Sequence, residues 1–240
     1  MNSIDELNYI KNNNKYIEVG ATTPLIKFEN YIGKYYSDFN NILKRYGSVQ
    51  IRNVATMAGN IATASPIGDT LPLLLSLDAK IVLKSIKKTK IVPLNNFFLD
   101  YRKTKLGKGQ FIESVRIPLF TQNIFKAYKI SKRFDDDISS VCASFNLKIV
   151  NKKIKNIRIA YGGMAPIPKR AKYCEKILSN VLITNEIIEK ATQALDKDFK
   201  PISDMRASSK YRIIVAKNLL KKCFLEIMNK KLIRVASWND

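Results

Sequence analysis

Three long segments with alternating or continuous apolar character follow one another at residues 124–131, 139–150 and 155–162, and after Pro166 and Pro168 nothing strand-like returns. Strands this close in sequence pair as an antiparallel meander, with residues 151–153 as the tight turn between the last two. The remainder of the chain reads as helix only: 169–178, 184–195 and 208–231, the last keeping Tyr211, Ile214, Val215, Leu219, Phe224, Ile227 and Met228 at an approximately helical period. Helices gathered after a sheet have its face to bury against. The second half of the chain is therefore expected to be a three-stranded antiparallel sheet packed on three helices, an α+β arrangement without parallel crossovers.

The first half alternates more. A strand is expected at 16–21, where Ile17 and Val19 alternate with Glu18 and Gly20 after an Asn-rich turn at 12–14. Helices follow at 24–31 and 37–46, the second with Phe39, Ile42, Leu43 and Tyr46 on one face. Residues 47–69, GSVQIRNVATMAGNIATASPIGD, have neither a helical stripe nor steady strand alternation and look like backbone built to approach something. A helix at 70–77, a hairpin of 80–84 and 90–93 around a Lys-rich turn, and strand residues at 109–117 complete a mixed sheet with flanking helices. The two units are expected at 1–119 and 124–232, with no internal repeat.

Composition removes several functions. The 42 Lys and Arg against 20 Asp and Glu give a net charge of +22, but the lysines are scattered among Asn and Ile, as at Lys84, Lys87, Lys88 and Lys90. No recognition module or basic cluster interleaved with aromatics accompanies them, so no nucleic-acid partner is expected. No apolar run approaches the roughly 18 residues of a membrane helix, and the start, MNSIDE, lacks the basic and apolar regions of a secretory signal. A soluble, cytoplasmic protein is the expectation. The chain has no His, which excludes imidazole bases, Ser-His-Asp triads and His-ligated zinc within it. Cys142, Cys174 and Cys223 are too far apart for a metal motif, and an iron–sulfur cluster takes about four thiolates. They read as reduced, buried thiols, and any such cluster belongs to another chain.

The segment 47–69 carries the chemistry. Ala58 and Gly59 remove side-chain bulk and Gly59 permits positive φ, so the amides of Thr56, Met57, Ala58, Gly59 and Asn60 are expected to converge on a phosphate, with Thr56 and Asn60 adding polar side chains. The alternative is a tight turn of small residues packing two elements together. Asp69 suits a ribose or ribityl hydroxyl, and it also stands where the N-cap of the helix at Thr70 belongs, with Pro72 in the first turn.

The string QIRNVATMAGNIATASPIGDTLPLLLSLDA resembles the flavin-binding subunit or domain of the molybdenum hydroxylases, the xanthine dehydrogenase and carbon monoxide dehydrogenase group. NNFFLDYRKTKL, YKISKRFDDDISSV, AYGGMAPIPKRA and SDMRASSKYR resemble later stretches of the same domain in the same order. The resemblance implies the second subdomain of a PCMH-type FAD-binding domain followed by a domain of the CO dehydrogenase flavoprotein C-terminal type. It implies that the 56–60 loop is the second of two diphosphate-contacting loops and that Asp69 is an acidic cofactor contact. It further implies that Tyr46 lies near the flavin, that Ile112 makes an apolar backbone contact, and that Lys129 is a basic contact. From the residues alone, Ile112 reads as core, Lys129 as a solvated side chain, and Asp135, Asp136 and Asp137 beside Arg133 as a charged loop. In the family the matching loop lies near the flavin ring and affects nicotinamide access.

One departure stands out. Flavin domains of this group begin with a further subdomain carrying a loop of the Gly-Gly-Thr-Asp type, often preceded by 2Fe–2S domains, and this sequence begins with ELNYIKNNNKYIEVGATT instead. The expectation is a fragment, half of a split gene, or a remnant, binding FAD weakly alone and exposing an apolar patch around Ile4, Leu7, Tyr9, Ile17 and Val19. By resemblance the function is electron transfer from iron–sulfur clusters through FAD to NAD. The implied partners are a molybdopterin-binding subunit, a 2Fe–2S domain or subunit, and a chain supplying the first FAD subdomain. The alternative is a noncatalytic remnant or assembly module that no longer holds FAD.

Overall fold

The computed structural model describes residues 4–229; positions 230–232 of the expected final helix and second unit lie outside the described residues. After a 3₁₀ turn at Asp5–Leu7, β1 (Ile10–Asn12) pairs antiparallel with β2 (Tyr16–Gly20). Asn13 makes the reversal, its Oδ1 accepting from the amides of Lys15 and Tyr16 at 3.1 and 3.0 Å. The helices α1 (Leu25–Ile32) and α2 (Ser37–Lys44) follow as the apolar spacing predicts.

The 47–69 stretch, read as neither helix nor strand, contains two six-residue helices, α3 (Val49–Val54) and α4 (Met57–Ala62). Each spans less than two turns, too short to display a stripe. Local capping starts them instead: Ser48 Oγ accepts from Ile51 N at 3.3 Å, and Thr56 Oγ1 accepts from Gly59 N at 3.0 Å.

All seven residues of α5 (Thr70–Ser76) are buried. It leads into the hairpin β3 (Lys80–Lys84) and β4 (Thr89–Pro93), the two short strands β5 (Phe98–Asp100) and β6 (Lys103–Thr104), and the eight-residue β7 (Phe111–Pro118). The five-stranded sheet has the order β1-β2-β7-β3-β4, and every pairing in it is antiparallel. The expected mixed sheet is thus corrected. β7 returns from a hairpin to lie between β2 and β3, so no crossover to a parallel neighbour arises.

In the second half, β8 (Ile124–Ile130), β9 (Val141–Val150) and β10 (Lys153–Gly162) form the meander, with Asn151 and Lys152 both left-handed in the turn at φ 50° and 58°. A two-residue strand, β11 (Lys169–Arg170), pairs with β10, so the sheet has four strands rather than three. The next helix therefore begins at Lys172 instead of 169. The helices are α6 (Lys172–Leu178), α7 (Asn185–Asp198) and α8 (Ser209–Asn229), with α6 on β10, α8 on β9, and α7 packed against both α6 and α8.

The opposite face of this sheet is covered by the first unit. α5 lies across β9 and β10 while α2 lies beside β8. Ser76 and Ser144 share a 2.7 Å hydroxyl bond there, and Asn146 Nδ2 donates to Ser76 O at 3.0 Å. One buried helix of the first unit thereby serves as the floor of the second.

The patch expected around Ile4, Leu7, Tyr9, Ile17 and Val19 does not form. Ile17 and Val19 point from β2 into the core and are fully buried, Leu7 and Tyr9 are partly buried, and only Ile4 is exposed, at 39%. Pairing with β1 and β7 places β2 inside the sheet, where its apolar alternation faces the helices. Exposed apolar side chains are scattered over the surface, three of them on α3 at Val49, Ile51 and Val54.

Candidate functional site

Tyr46 follows α2 at the point where the chain turns into α3. Its Oη accepts from Asn60 Nδ2 at 3.1 Å, and Asn60 Oδ1 accepts in turn from Thr70 Oγ1 at 2.5 Å. Asn60 thus ties the exit of α2 to α4 and α5. Burial pushes the Tyr46 phenol above its ordinary range, and the neighbouring Asp69 carboxylate adds to the shift.

Gly59 corrects an expectation: it does not use positive φ, a conformation found among the glycines at Gly47, Gly109 and Gly163. It lies inside α4, where its amide is bonded to Thr56 Oγ1, and the Asn60 amide is bonded to Thr56 O at 3.1 Å. Two of the amides expected to meet a phosphate are therefore engaged in starting the helix. The absent side chain is the informative part. A Cβ on Gly59 would meet Thr56 Oγ1, the cap of its own helix, at 3.2 Å, and no other element of the described chain comes within 4 Å of it. The crowding is against the cap of its own helix and not against a second element, so the outer side of this glycine is open to close approach of a ligand. Met57 and Ala58, by contrast, are buried and anchor α4 in the core. An open glycine face flanked by Thr56, Asn60 and the Tyr46 ring fits a flavin dinucleotide in its chemistry.

Asp69 and Lys129, placed 60 residues apart, meet as a buried ion pair with Nζ 2.6 Å from Oδ2. Their side chains are 6% and 0% exposed, so Lys129 is no solvated lysine. The second carboxylate oxygen of Asp69 accepts from Ser139 Oγ, and Lys129 Nζ also donates to Arg45 O at 2.9 Å. The N-cap alternative for Asp69 is corrected: the residue precedes α5, but its side chain makes no capping bond and turns to the second unit. The pair clasps the start of α5 to β8. Cys142 sits against it, 3.7 Å from Asp69 O, and burial foremost, then the Asp69 charge, raises its thiol well above the usual range.

Ile112 is buried in β7 opposite Leu83, within the same core as Met57 and Ala58. The loop at 131–140 leaves Asp135, Asp136 and Asp137 at the surface, with Asp137 accepting from the amides of Arg133 and Ile138 at 2.9 and 2.8 Å. Sequence reasoning missed what fastens this loop beside Tyr46. Arg45 donates to Phe134 O at 2.8 Å and Lys129 O at 3.1 Å, and lies 4.3 Å from the centre of the Phe134 ring. An arginine in a chain that otherwise favours lysine was the available signal.

The other family-like strings meet at a lock. Gly163, at φ +80°, donates to Pro66 O at 2.8 Å, and a Cβ there would collide with Ser140 O and Arg212 Nη1. The buried Arg212 donates to Ser140 O, to Gly163 O at 3.0 Å, and to Asp204 Oδ1 at 2.7 Å. Among the described residues no cluster of His, Cys, Asp or Glu could hold a metal, and no helix is long and apolar enough to cross a membrane.

Comparison with known proteins agrees with this geometry. Residues 1–120 match the profile of the FAD binding domain in molybdopterin dehydrogenase, and residues 126–227 match that of the CO dehydrogenase flavoprotein C-terminal domain. Xanthine dehydrogenase of Blastobotrys adeninivorans is 33% identical over 252 residues, covering 95% of this chain and 18% of that protein. Xanthine dehydrogenase of Emericella nidulans is 32% identical over 214 residues, covering 83% of this chain and 16% of the relative. The chain thus spans less than a fifth of the length of these relatives. Among solved structures, a carbon monoxide dehydrogenase chain from Hydrogenophaga pseudoflava superposes with a TM-score of 0.87 at 24% identity, over 92% of this chain and 78% of that one, a likeness of fold. With its two halves matching in order, the chain belongs to the family of FAD-binding domains of the molybdopterin-dependent dehydrogenases, the flavin component of the molybdenum hydroxylases.

Proposed function

We propose that this chain is the FAD-binding electron-transfer component of a xanthine dehydrogenase-like molybdenum hydroxylase, accepting electrons from iron–sulfur clusters and delivering them to NAD. The observation that carries the reading is the open face of Gly59 in α4, between the Thr56 cap and the Asn60–Tyr46 tie. Bound FAD would supply the exchange between one-electron carriers and a hydride acceptor, which no side chain here can perform. The residues placed to hold it are Thr56, Gly59 and Asn60 along the edge of α4, with Tyr46 beside them. Asp69 and Lys129 contribute by fixing the backbone of Arg45 and the start of α5, and Arg45 holds the acidic loop next to Tyr46. Ile112 acts from the core, under α4.

The metal centres of such an enzyme belong to other polypeptide segments. Cys142, Cys174 and Cys223 are all buried and far apart in sequence, so they are not poised to ligate a cluster. A molybdopterin-binding partner oxidising a purine or similar heterocycle, a 2Fe–2S partner and a cytoplasmic setting complete the proposal. A second reading, an assembly module without flavin, has one observation in its favour: Asp69 and Lys129 satisfy each other, leaving neither charge of that pair waiting for a ligand.

Titration of the purified full chain with FAD, followed by quenching of flavin fluorescence, separates the two. The flavin reading predicts saturable binding with a Kd of about 1 μM or weaker, and dye reduction by NADH once the partner chains are added. Absence of saturable binding under any of these conditions supports the assembly module.

A further inference from the structure

We infer that Arg52, held by Glu29, is a positioning residue for the Tyr46 ring. Which molecule the ring faces rests on the flavin reading above; the positioning itself rests on geometry alone.

Arg52 and Glu29 are 7% and 6% exposed, and Arg52 Nε lies 2.9 Å from Glu29 Oε2. Glu29 belongs to α1 and Arg52 to α3, so the pair fastens two helices. The guanidinium does more than balance a charge. Its Nη1 donates to Gly47 O at 2.5 Å and approaches Tyr46 O at 3.4 Å. Those carbonyls form the reversal between α2 and α3, where Gly47 adopts φ +54° and a Cβ would crowd Ile51 at 3.1 Å. Arg52 therefore closes the turn that aims Tyr46.

The other end of the ring is fixed independently. Asn60 Nδ2 donates to Tyr46 Oη, and Thr70 Oγ1 holds Asn60. Backbone and hydroxyl of one aromatic residue are thus held by two unrelated groups from α3 and α4. A buried ion pair adds little net stability over apolar residues of equal volume, because desolvation offsets most of the attraction. What it supplies here is direction: the Glu29 charge, in contact with Nε but not aligned for a hydrogen bond, holds the guanidinium in place while Nη1 donates to a carbonyl of the turn, an arrangement that a lysine, a single point of charge, does not reproduce.

The test uses the full chain with ring-labelled tyrosine and NMR, the Tyr46 resonance being assigned by its loss in Tyr46→Phe. Arg52→Lys is expected to keep the circular dichroism of the parent, to shift the Tyr46 resonance, and to bring the phenol's titration back toward the ordinary tyrosine range. FAD affinity is expected to fall about tenfold, because the Tyr46 ring is no longer held in the direction that meets the ligand. Should Arg52→Lys fail to fold, Glu29→Gln, which keeps every donor of Arg52, carries the test through the same resonance. An unchanged Tyr46 resonance and titration in either folded variant would overturn the proposal and leave the pair a brace of the fold. If the parent chain takes up no FAD, it is the flavin reading that fails, and the Tyr46 resonance still decides the role of Arg52.

Discussion

Gly163 and Gly59 both stand in strings that resemble the same family, yet their surroundings are opposite. At Gly163 a side chain has no room: φ is positive, the amide donates to Pro66 O, and Ser140 O with the Arg212 guanidinium stands where a Cβ would go. At Gly59 the backbone is ordinary helix and the space beyond Thr56 Oγ1 is open. The first glycine is explained entirely by the fold. The second is not, and the difference separates residues that build the domain from residues that leave room for something else.

The largest effects should come from the closed side of this comparison. Lys129→Met leaves the buried Asp69 carboxylate without its counter-charge, and a loss of about 3–5 kcal/mol in urea unfolding is expected. A loss under about 1 kcal/mol would mean that the pair is solvent-screened and that the clasp between α5 and β8 does not exist in solution. Arg212→Met strands the carbonyls of Ser140 and Gly163 and should cost about 3 kcal/mol by the same measurement. Both variants act before any ligand binds, so their losses should appear in full without FAD.

An alkaline titration sharpens the contrast at intermediate size. Burial raises the thiols of Cys142, Cys174 and Cys223 in the folded chain, whereas unfolded thiols ionise near 9.0. Above that pH the unfolded chain gives up protons that the folded chain keeps, so stability is full below about pH 9 and falls as pH rises. The buried phenols of Tyr128 and Tyr161, raised first by desolvation, extend the loss from about pH 10 upward. Urea midpoints measured across this range should fall steadily. A flat profile would show the second unit to be less tightly packed than its core implies.

How much of this is legible in the sequence differs between the same two kinds of feature. The meander of β8 to β10 and the helices after it announce themselves by length, because ten-residue strands repeat their signal many times. The two- and three-residue strands β1, β5, β6 and β11 carry no such repetition and escape a reading by pattern. So do α3 and α4, which depend on the Ser48 and Thr56 caps more than on apolar spacing. Within the site, the small residues of α4 are visible as composition. The direction of the Asp69 carboxylate is not, because it is decided by Lys129 and Ser139, 60 and 70 residues downstream. Ile17 and Val19 read correctly as one face of a strand but not as buried, since nothing local reveals that the helices, with Leu25, Phe28 and Ile61, pack onto that face.

The smallest change to the fold should produce the clearest change in function. Gly59→Val places a branched side chain on the open face of α4, where its Cβ touches only Thr56 Oγ1. Valine's slightly better helix propensity offsets part of the crowding against the Thr56 cap, so the unfolding free energy should stay within about 1 kcal/mol of the parent. FAD titration and urea unfolding of the parent and of Gly59→Val, carried out side by side, test the account most directly. The expected result is saturable flavin binding by the parent, loss of that binding in the variant, and near-identical stability. Equal losses of binding and stability, or undiminished binding in the variant, would contradict the claim that the open glycine face is the seat of the cofactor.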